Sequence, residues 1–337
     1  MTKRKDYSKI PIEERKKMIE RIYVIHPRNR AVLEKFAYCH QHAKIAAEPE
    51  GMLLEGIAGM GKTTLCKYYM QEFPRRQTED GTIVPVLIAK VEVPASPKSL
   101  VTALLTALGD LLPDKGTTVS QTLRLKKLME YCGVELVFLD EFQHFMDRDS
   151  KKVLKTVSDW LKNLMDGTRK PIILVGMPNS HAILDEDGNE QLQRRFSIRI
   201  KLEPFDWKNS EDKEDFRRFL QIVDGRLPLN EWSNLSGESM AFRFYLASDG
   251  IVSKVMKLIR RAAAIALDLS LERLDLETLC IAYEECLAAN DPERENPFGE
   301  RPKKMGSKHT KEDKSAKRAT NARSKAKEKE LGASDVL

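Results

Sequence analysis

One stretch constrains this chain more than any other. Gly56-Ile57-Ala58-Gly59-Met60-Gly61-Lys62-Thr63 reads G-x-x-x-x-G-K-T. Glycines at these places let the backbone wrap a compact anion and aim successive N–H groups inward. The flanks suit that use. Met52-Leu53-Leu54-Glu55 is short and apolar, fit for a buried strand, and Thr64-Leu65-Cys66-Lys67-Tyr68-Tyr69-Met70 has helical spacing. A loop between a strand and a helix N-terminus gains positive potential from the helix dipole. The pattern predicts a nucleoside triphosphate site built from Gly56, Ile57, Ala58, Gly59, Met60, Gly61, Lys62, Thr63 and Thr64. Lys62 would reach the β- and γ-phosphates, and the Thr63 hydroxyl would ligate Mg²⁺.

A second landmark is Val134-Glu135-Leu136-Val137-Phe138-Leu139-Asp140-Glu141, an apolar run ending in two adjacent carboxylates. At the C-terminal edge of a parallel sheet, where ligands bind, Asp140 is suited to hold the Mg²⁺ through water and Glu141 to act as general base for a hydrolytic water. Pro171 to Gly176 reads as another buried strand, and it runs into Met177-Pro178-Asn179-Ser180. A polar residue such as Asn179 can there contact the γ-phosphate or the attacking water. Farther on, Arg194 and Arg195 stand before a last strand, Ser197 to Leu202; ordinary surface charge is the competing reading for them.

Around these landmarks the apolar spacing predicts a strand at Pro85–Val93, helices at 28–47, 98–109, 119–131 and 151–165, and a strand-like piece at Tyr23–Pro27. Ser96-Pro97 supplies an N-cap and a proline at the first helical position. From Phe205 the pattern is helical only, with segments near 211–223, 239–247, 251–267 and 276–289. Residues 1–20 read as a loose arm or frayed helix. His26, His40 and His42 lack a spaced carboxylate or cysteine partner, so they read as surface or adenine-side groups rather than metal ligands.

The charge is uneven. Of 57 Lys and Arg, 12 fall in residues 301–337 against 5 acidic residues, leaving 45 against 46 elsewhere. Residues 291–337 have no apolar periodicity and are expected to be disordered. Five cysteines form no C-x-x-C pair, and no apolar run approaches a membrane span. The expectation is a cytoplasmic protein with no membrane partner. Domains are expected at 1–20 (arm), 21–205 (α/β core), 206–290 (helical lid) and 291–337 (basic tail).

Taken in order, the glycine loop, the L-V-F-L-D-E strand, the polar strand tip, the arginine pair and the helical lid resemble an AAA+ ATPase: a three-layer αβα domain with a parallel sheet, followed by a small all-α lid. No N-K-x-D guanine motif is visible, which favours ATP. Within that class, residues 20–290 resemble the TniB/TnsC family of bacterial transposition regulators. The resemblance is carried by Gly56–Thr63, Cys132-Gly133-Val134-Glu135, Ile173-Leu174-Val175-Gly176, Gln191-Leu192-Gln193-Arg194-Arg195-Phe196 and Asp249-Gly250-Ile251.

The resemblance implies ATP-bound subunits that stack as a homo-oligomer, a ring or a helical filament, around duplex DNA. It implies recruitment of a DDE transposase, response to a TniQ-like or similar target selector, and disassembly on ATP hydrolysis. Arg195 resembles the arginine finger, with Arg194 assisting. Lys254 occupies the sensor-2 place, with lysine where arginine is common, and Asn179 that of sensor 1. Lys98, Thr117 and Thr118 lie where family members touch the DNA backbone, with no sequence preference. Two other classes stay open: a helicase loader or replication initiator, and a STAND-like nucleotide switch.

Overall fold

The computed structural model describes residues 4–145, 151–185 and 190–299. Helices α1 (Ile12–Glu20) and α2 (Pro27–His42) lead into strand β1 (Met52–Gly56) and helix α3 (Lys62–Gln71). A hairpin of β2 (Arg76–Thr78) and β3 (Gly81–Ile83) precedes β4 (Val86–Lys90), α4 (Pro97–Leu108) and α5 (Thr118–Tyr131). Next come β5 (Leu136–Asp140), a 3-10 turn at Phe142–Phe145, α6 (Lys151–Thr168) and β6 (Ile172–Gly176). Short helices α7 (Ala182–Asp185) and α8 (Glu190–Arg195) lead to β7 (Ile198–Leu202). Among the described residues four further helices follow: α9 (Ser210–Arg226), α10 (Glu238–Ser248), α11 (Val252–Asp268) and α12 (Leu276–Cys286).

Five strands form one parallel sheet in the order β4-β5-β6-β1-β7. Alternate side chains feed two cores, as the strand period requires. Leu53, Val137, Leu139 and Leu174 face α4, α5 and α6, while Met52, Leu54, Phe138 and Val175 face α2 and α3. Both faces being covered explains why these strands read as continuous apolar runs. The helix expected after Ser96 is capped as its sequence suggests. Ser96 Oγ accepts from the Ser99 N–H, Pro97 opens the helix, and Gly109 ends it in the left-handed conformation. Among the described residues no helix is long and apolar enough to cross a membrane.

The third core belongs to α9–α12, and Ile19, Ile22 and Val24 enter it from the N-terminal segment. The expectation of a loose arm is therefore corrected. Arg15, only 5% exposed, places two guanidinium nitrogens on Glu272 at 3.1 and 2.6 Å, and Arg4 donates to the Leu229 carbonyl at 2.5 Å. The many charges of residues 1–20 conceal an anchoring pattern whose partners lie more than 200 positions away.

Tyr23–His26 joins no sheet, since its neighbours are α9 and α11 rather than a strand. Helix α2 ends at His42 instead of near Ala47. The tail was expected to be disordered from 291, but Phe298 is buried against Phe244 and Tyr283, and Arg294 pairs with Asp249 at 2.9 Å. The rest of the tail, from residue 300, lies outside the described residues.

Candidate active site

The glycine loop joins the C-terminal end of β1, between β6 and β7, to the start of α3. Gly59 and Gly61 have φ of +86° and +85°, a region costly for other residues. A Cβ at Gly61 would meet nothing within 4 Å, so the backbone angle alone calls for glycine there. At Gly59 a Cβ would strike Ser253 Oγ at 2.2 Å, because the start of α11 lies on the loop; the Ser253 N–H donates to the Gly59 carbonyl at 3.0 Å.

Lys62 Nζ donates to the carbonyls of Gly56 and Ile57 at 2.6 and 3.1 Å. Burial pushes its ammonium below the usual lysine range, against the opposing pull of Asp140 and Glu141. Thr63 Oγ1 donates to Asp140 Oδ2 at 2.7 Å. Hard oxygen donors so close together, at a helix N-terminus made for phosphate, fit Mg²⁺.

Glu141 follows β5 with φ +58°, left-handed backbone in a residue that is not glycine. Such strain concentrates at functional positions. Its Oε2 accepts from Gln143 Nε2 at 2.5 Å, and Gln143 Oε1 accepts from the Met177 N–H at 3.2 Å. Gln143 thus ties the carboxylate to the tip of β6, the place assigned from sequence to Asn179. Asn179 itself is exposed and does not line the cleft, because the turn after Pro178 carries it outward. Nothing in the spacing of Gln143 marks it out; its place in the 3-10 turn does.

The loop, Asp140 and Glu141 open onto a cleft of about 680 Å³, within the ordinary range for a small-molecule site. Its other walls come from Ile22, Val24 and Asn29, from Phe219 of α9, and from α11. Ser253, Met256, Lys257 and Arg260 share the cleft face of α11. Lys254, expected to face the nucleotide, stands at the edge of that face and turns to Asp249 at 2.9 Å. It does not line the cleft. Asp249 draws it away: burial alone would raise that carboxyl, but hydrogen bonds from Lys254 and Arg294 hold it below the usual carboxylate range.

The two arginines differ in their surroundings. Arg195 has a side chain 12% exposed, ion-paired with Asp166 at 2.5 Å and Glu48 at 3.6 Å. Arg194 is exposed beside a shallow hollow with Gln193 and Arg199. Neither reaches the cleft of its own chain.

Lys98 is exposed in the first turn of α4, and Thr117 caps α5 by accepting from the Ser120 N–H at 3.2 Å, with Thr118 next to it. None of the three lines the cleft. The histidines are not all surface groups. His26 is 3% exposed among Phe205 and Phe219, and His40 is 2% exposed between Tyr69 and Glu135.

The family model described as bacterial TniB protein matches residues 15–208. The ORC1-type DNA replication protein 1 of Aeropyrum pernix is 25% identical over 157 residues, 46% of this chain and 39% of that protein. The chain thus spans about two fifths of that relative's length. Among solved structures, Aeropyrum pernix ORC1 in complex with DNA is similar with a TM-score of 0.55 at 16% identity, over 80% of this chain and 69% of that one. Cdc6p from Pyrobaculum aerophilum is similar with a TM-score of 0.58 at 15% identity, over 80% and 71%.

Proposed function

Because the chain belongs to the TniB family of bacterial proteins and is built as an AAA+ ATPase, we propose that it is an ATP-dependent, DNA-binding regulator of transposition. It binds ATP with Mg²⁺ and assembles as a ring or filament on duplex DNA. It links a TniQ-like or similar target selector to a DDE transposase and disassembles on hydrolysis.

The observation that carries the ATP reading is the meeting of Lys62, Thr63, Asp140 and Glu141 at one cleft, with Thr63 hydrogen-bonded to Asp140 at 2.7 Å. Lys62 faces the β- and γ-phosphates, and Thr63 and Asp140 hold Mg²⁺, which neutralises phosphoryl charge when bound. Glu141, steadied by Gln143, takes the proton of the attacking water. An arginine of the 194–195 pair, outside its own cleft, completes the site of a neighbouring subunit. Residues 21–205 act as the ATPase core and 206–290 as its lid. Lys98, Thr117 and Thr118 touch DNA phosphates, which suits a regulator whose target is chosen by a partner.

The similarity to Aeropyrum ORC1, solved with DNA, supports the DNA-binding part and also favours a second reading, a replication initiator or helicase loader. Electron microscopy of the full chain with duplex DNA, with and without an ATP analogue, tests the main proposal. Nucleotide-dependent rings or filaments that then capture a transposase support it. Assemblies that capture a replicative helicase instead would move the assignment to the second reading. In solution, Lys62→Ala is expected to abolish ATP binding and Glu141→Gln to keep binding while losing turnover. ATP bound as well by Lys62→Ala as by the parent would sink the site.

A further inference from the structure

The cleft has a second polar feature, at a wall the phosphates do not need. Asn29 is 4% exposed and lines the cleft with Ile22, Val24, Phe219 and Met256. Its Oδ1 is buried and has no hydrogen-bond partner among the described residues. A buried acceptor left unpaired is destabilising, whereas an apolar side chain of similar size would fill the position at no such cost. The surroundings are otherwise suited to a flat aromatic ring: aliphatic and aromatic walls on several elements, with the phosphate loop in the same cleft.

The position is also held firmly. Pro27 opens α2 and fixes its first turn. The guanidinium of neighbouring Arg28 lies over the Phe205 ring, 4.6 Å from its centre, and pairs with Asp212. On the opposite wall, Arg260 of α11 donates to the Ile22 carbonyl at 3.0 Å. A short side chain on a clamped helix end is a good reader, since little freedom is lost when it engages a ligand. Rotation about χ2 is soft for asparagine, so the carboxamide can swing its oxygen toward a bound ring.

We propose that Asn29 reads the nucleotide base, its Oδ1 accepting a hydrogen bond from the 6-amino group of adenine. This rests on the ATP reading of the cleft. The chemistry matches: a carboxamide offers an acceptor beside a donor, and adenine presents its 6-amino donor beside a ring-nitrogen acceptor. The base gives the buried oxygen its missing partner, so ATP gains over a nucleotide that lacks the amino group. Asn29 is a specificity residue; it touches the base, and the reacting phosphate is handled by other groups.

The test is a two-by-two comparison on the full-length protein. Affinities of ATP and of purine riboside triphosphate, which is ATP without the 6-amino group, are measured for the parent and for Asn29→Ala. The parent is expected to prefer ATP by on the order of tenfold. Asn29→Ala is expected to bind both at the weaker level. Asn29→Asp, which keeps an acceptor in place, is expected to retain the preference for the 6-amino group. Equal affinity of the parent for the two nucleotides overturns the proposal without recourse to any variant. A preference undiminished in Asn29→Ala overturns it as well. Should the parent bind neither triphosphate, the ATP reading itself fails; should it bind both alike, only the role of Asn29 fails.

Discussion

The guanidinium of Arg195 closes on the carboxylate of Asp166 at 2.5 Å, so the last residue of α8 is bound to the end of α6 within its own chain. Its carbonyl also accepts from the Gly51 N–H at 2.6 Å. Arg195 therefore helps to hold the entry to β1, while the adjacent Arg194 is exposed. Arg194→Ala is expected to lose DNA-stimulated ATPase activity without loss of stability, an arginine in trans being worth on the order of 10³ in rate. Arg195→Ala is expected to lower both. Mixing Arg194→Ala with Lys62→Ala should restore part of the activity, because an intact lysine site can use the partner's arginine. No recovery in mixtures that co-assemble would end the trans assignment.

Gln143 bridges Glu141 and the Met177 N–H, so its effect should fall on turnover. For Gln143→Ala the expectation is a kcat reduced about tenfold or more with ATP affinity little changed, since misplaced catalytic groups lose rate before binding. Steady-state kinetics with an independent binding titration would decide it. A change confined to KM would mean that Gln143 acts on the bound nucleotide.

Lys98 is exposed in the first turn of α4, and Thr117 caps α5. Lys98→Ala should weaken DNA binding for all sequences alike and make its salt dependence shallower by about one unit per lost phosphate contact. Thr117→Ala carries a stability cost of about 1 kcal/mol from the lost cap, so its DNA effect must be read at matched folding. Should both bind DNA as the parent does, the contact surface is elsewhere. Arg124 is a weak alternative, being already paired with Asp110 at 2.5 Å.

Both ring nitrogens of His26 are buried without partners among the described residues, and burial, with Arg28 nearby, lowers its pKa to about 4. The unfolded chain takes up this proton near pH 6.5 and the folded chain only near 4, so the contribution is intact above pH 6.5 and is lost as pH falls toward 4. Between pH 7.5 and 5 the loss attributable to His26 is roughly 2 kcal/mol. His26→Phe should lose less stability over that interval by about this amount, as read from urea unfolding of both proteins. Identical pH dependence would mean that the folded protein admits the proton.

What the sequence made legible was whatever is written locally. The loop at Gly56–Thr63 and the carboxylates at Asp140-Glu141 each lie within one strand-and-turn unit. The buried strands announced themselves because both of their faces are covered. The β2–β3 hairpin, polar and exposed along β2, gave no apolar signal. Asn29, Gln143 and Arg260 were invisible because their meaning lies in what the fold brings beside them. Lys254 misled for the same reason: one helical step separates it from the cleft face, and Asp249 decides where its charge goes.

The anchoring of α1 on α11 also bears on how the molecule comes into being. Helix α1 and the α9–α12 bundle share one core, yet the entire sheet is synthesised between them. The sheet core can collapse early from neighbouring βα units. Ile19, Ile22 and Arg15 must wait for partners that emerge more than 200 residues later. The wall of the cleft lined by Ile22, Val24 and α11 therefore cannot be completed before residues 252–268 have been synthesised, long after the sheet strands.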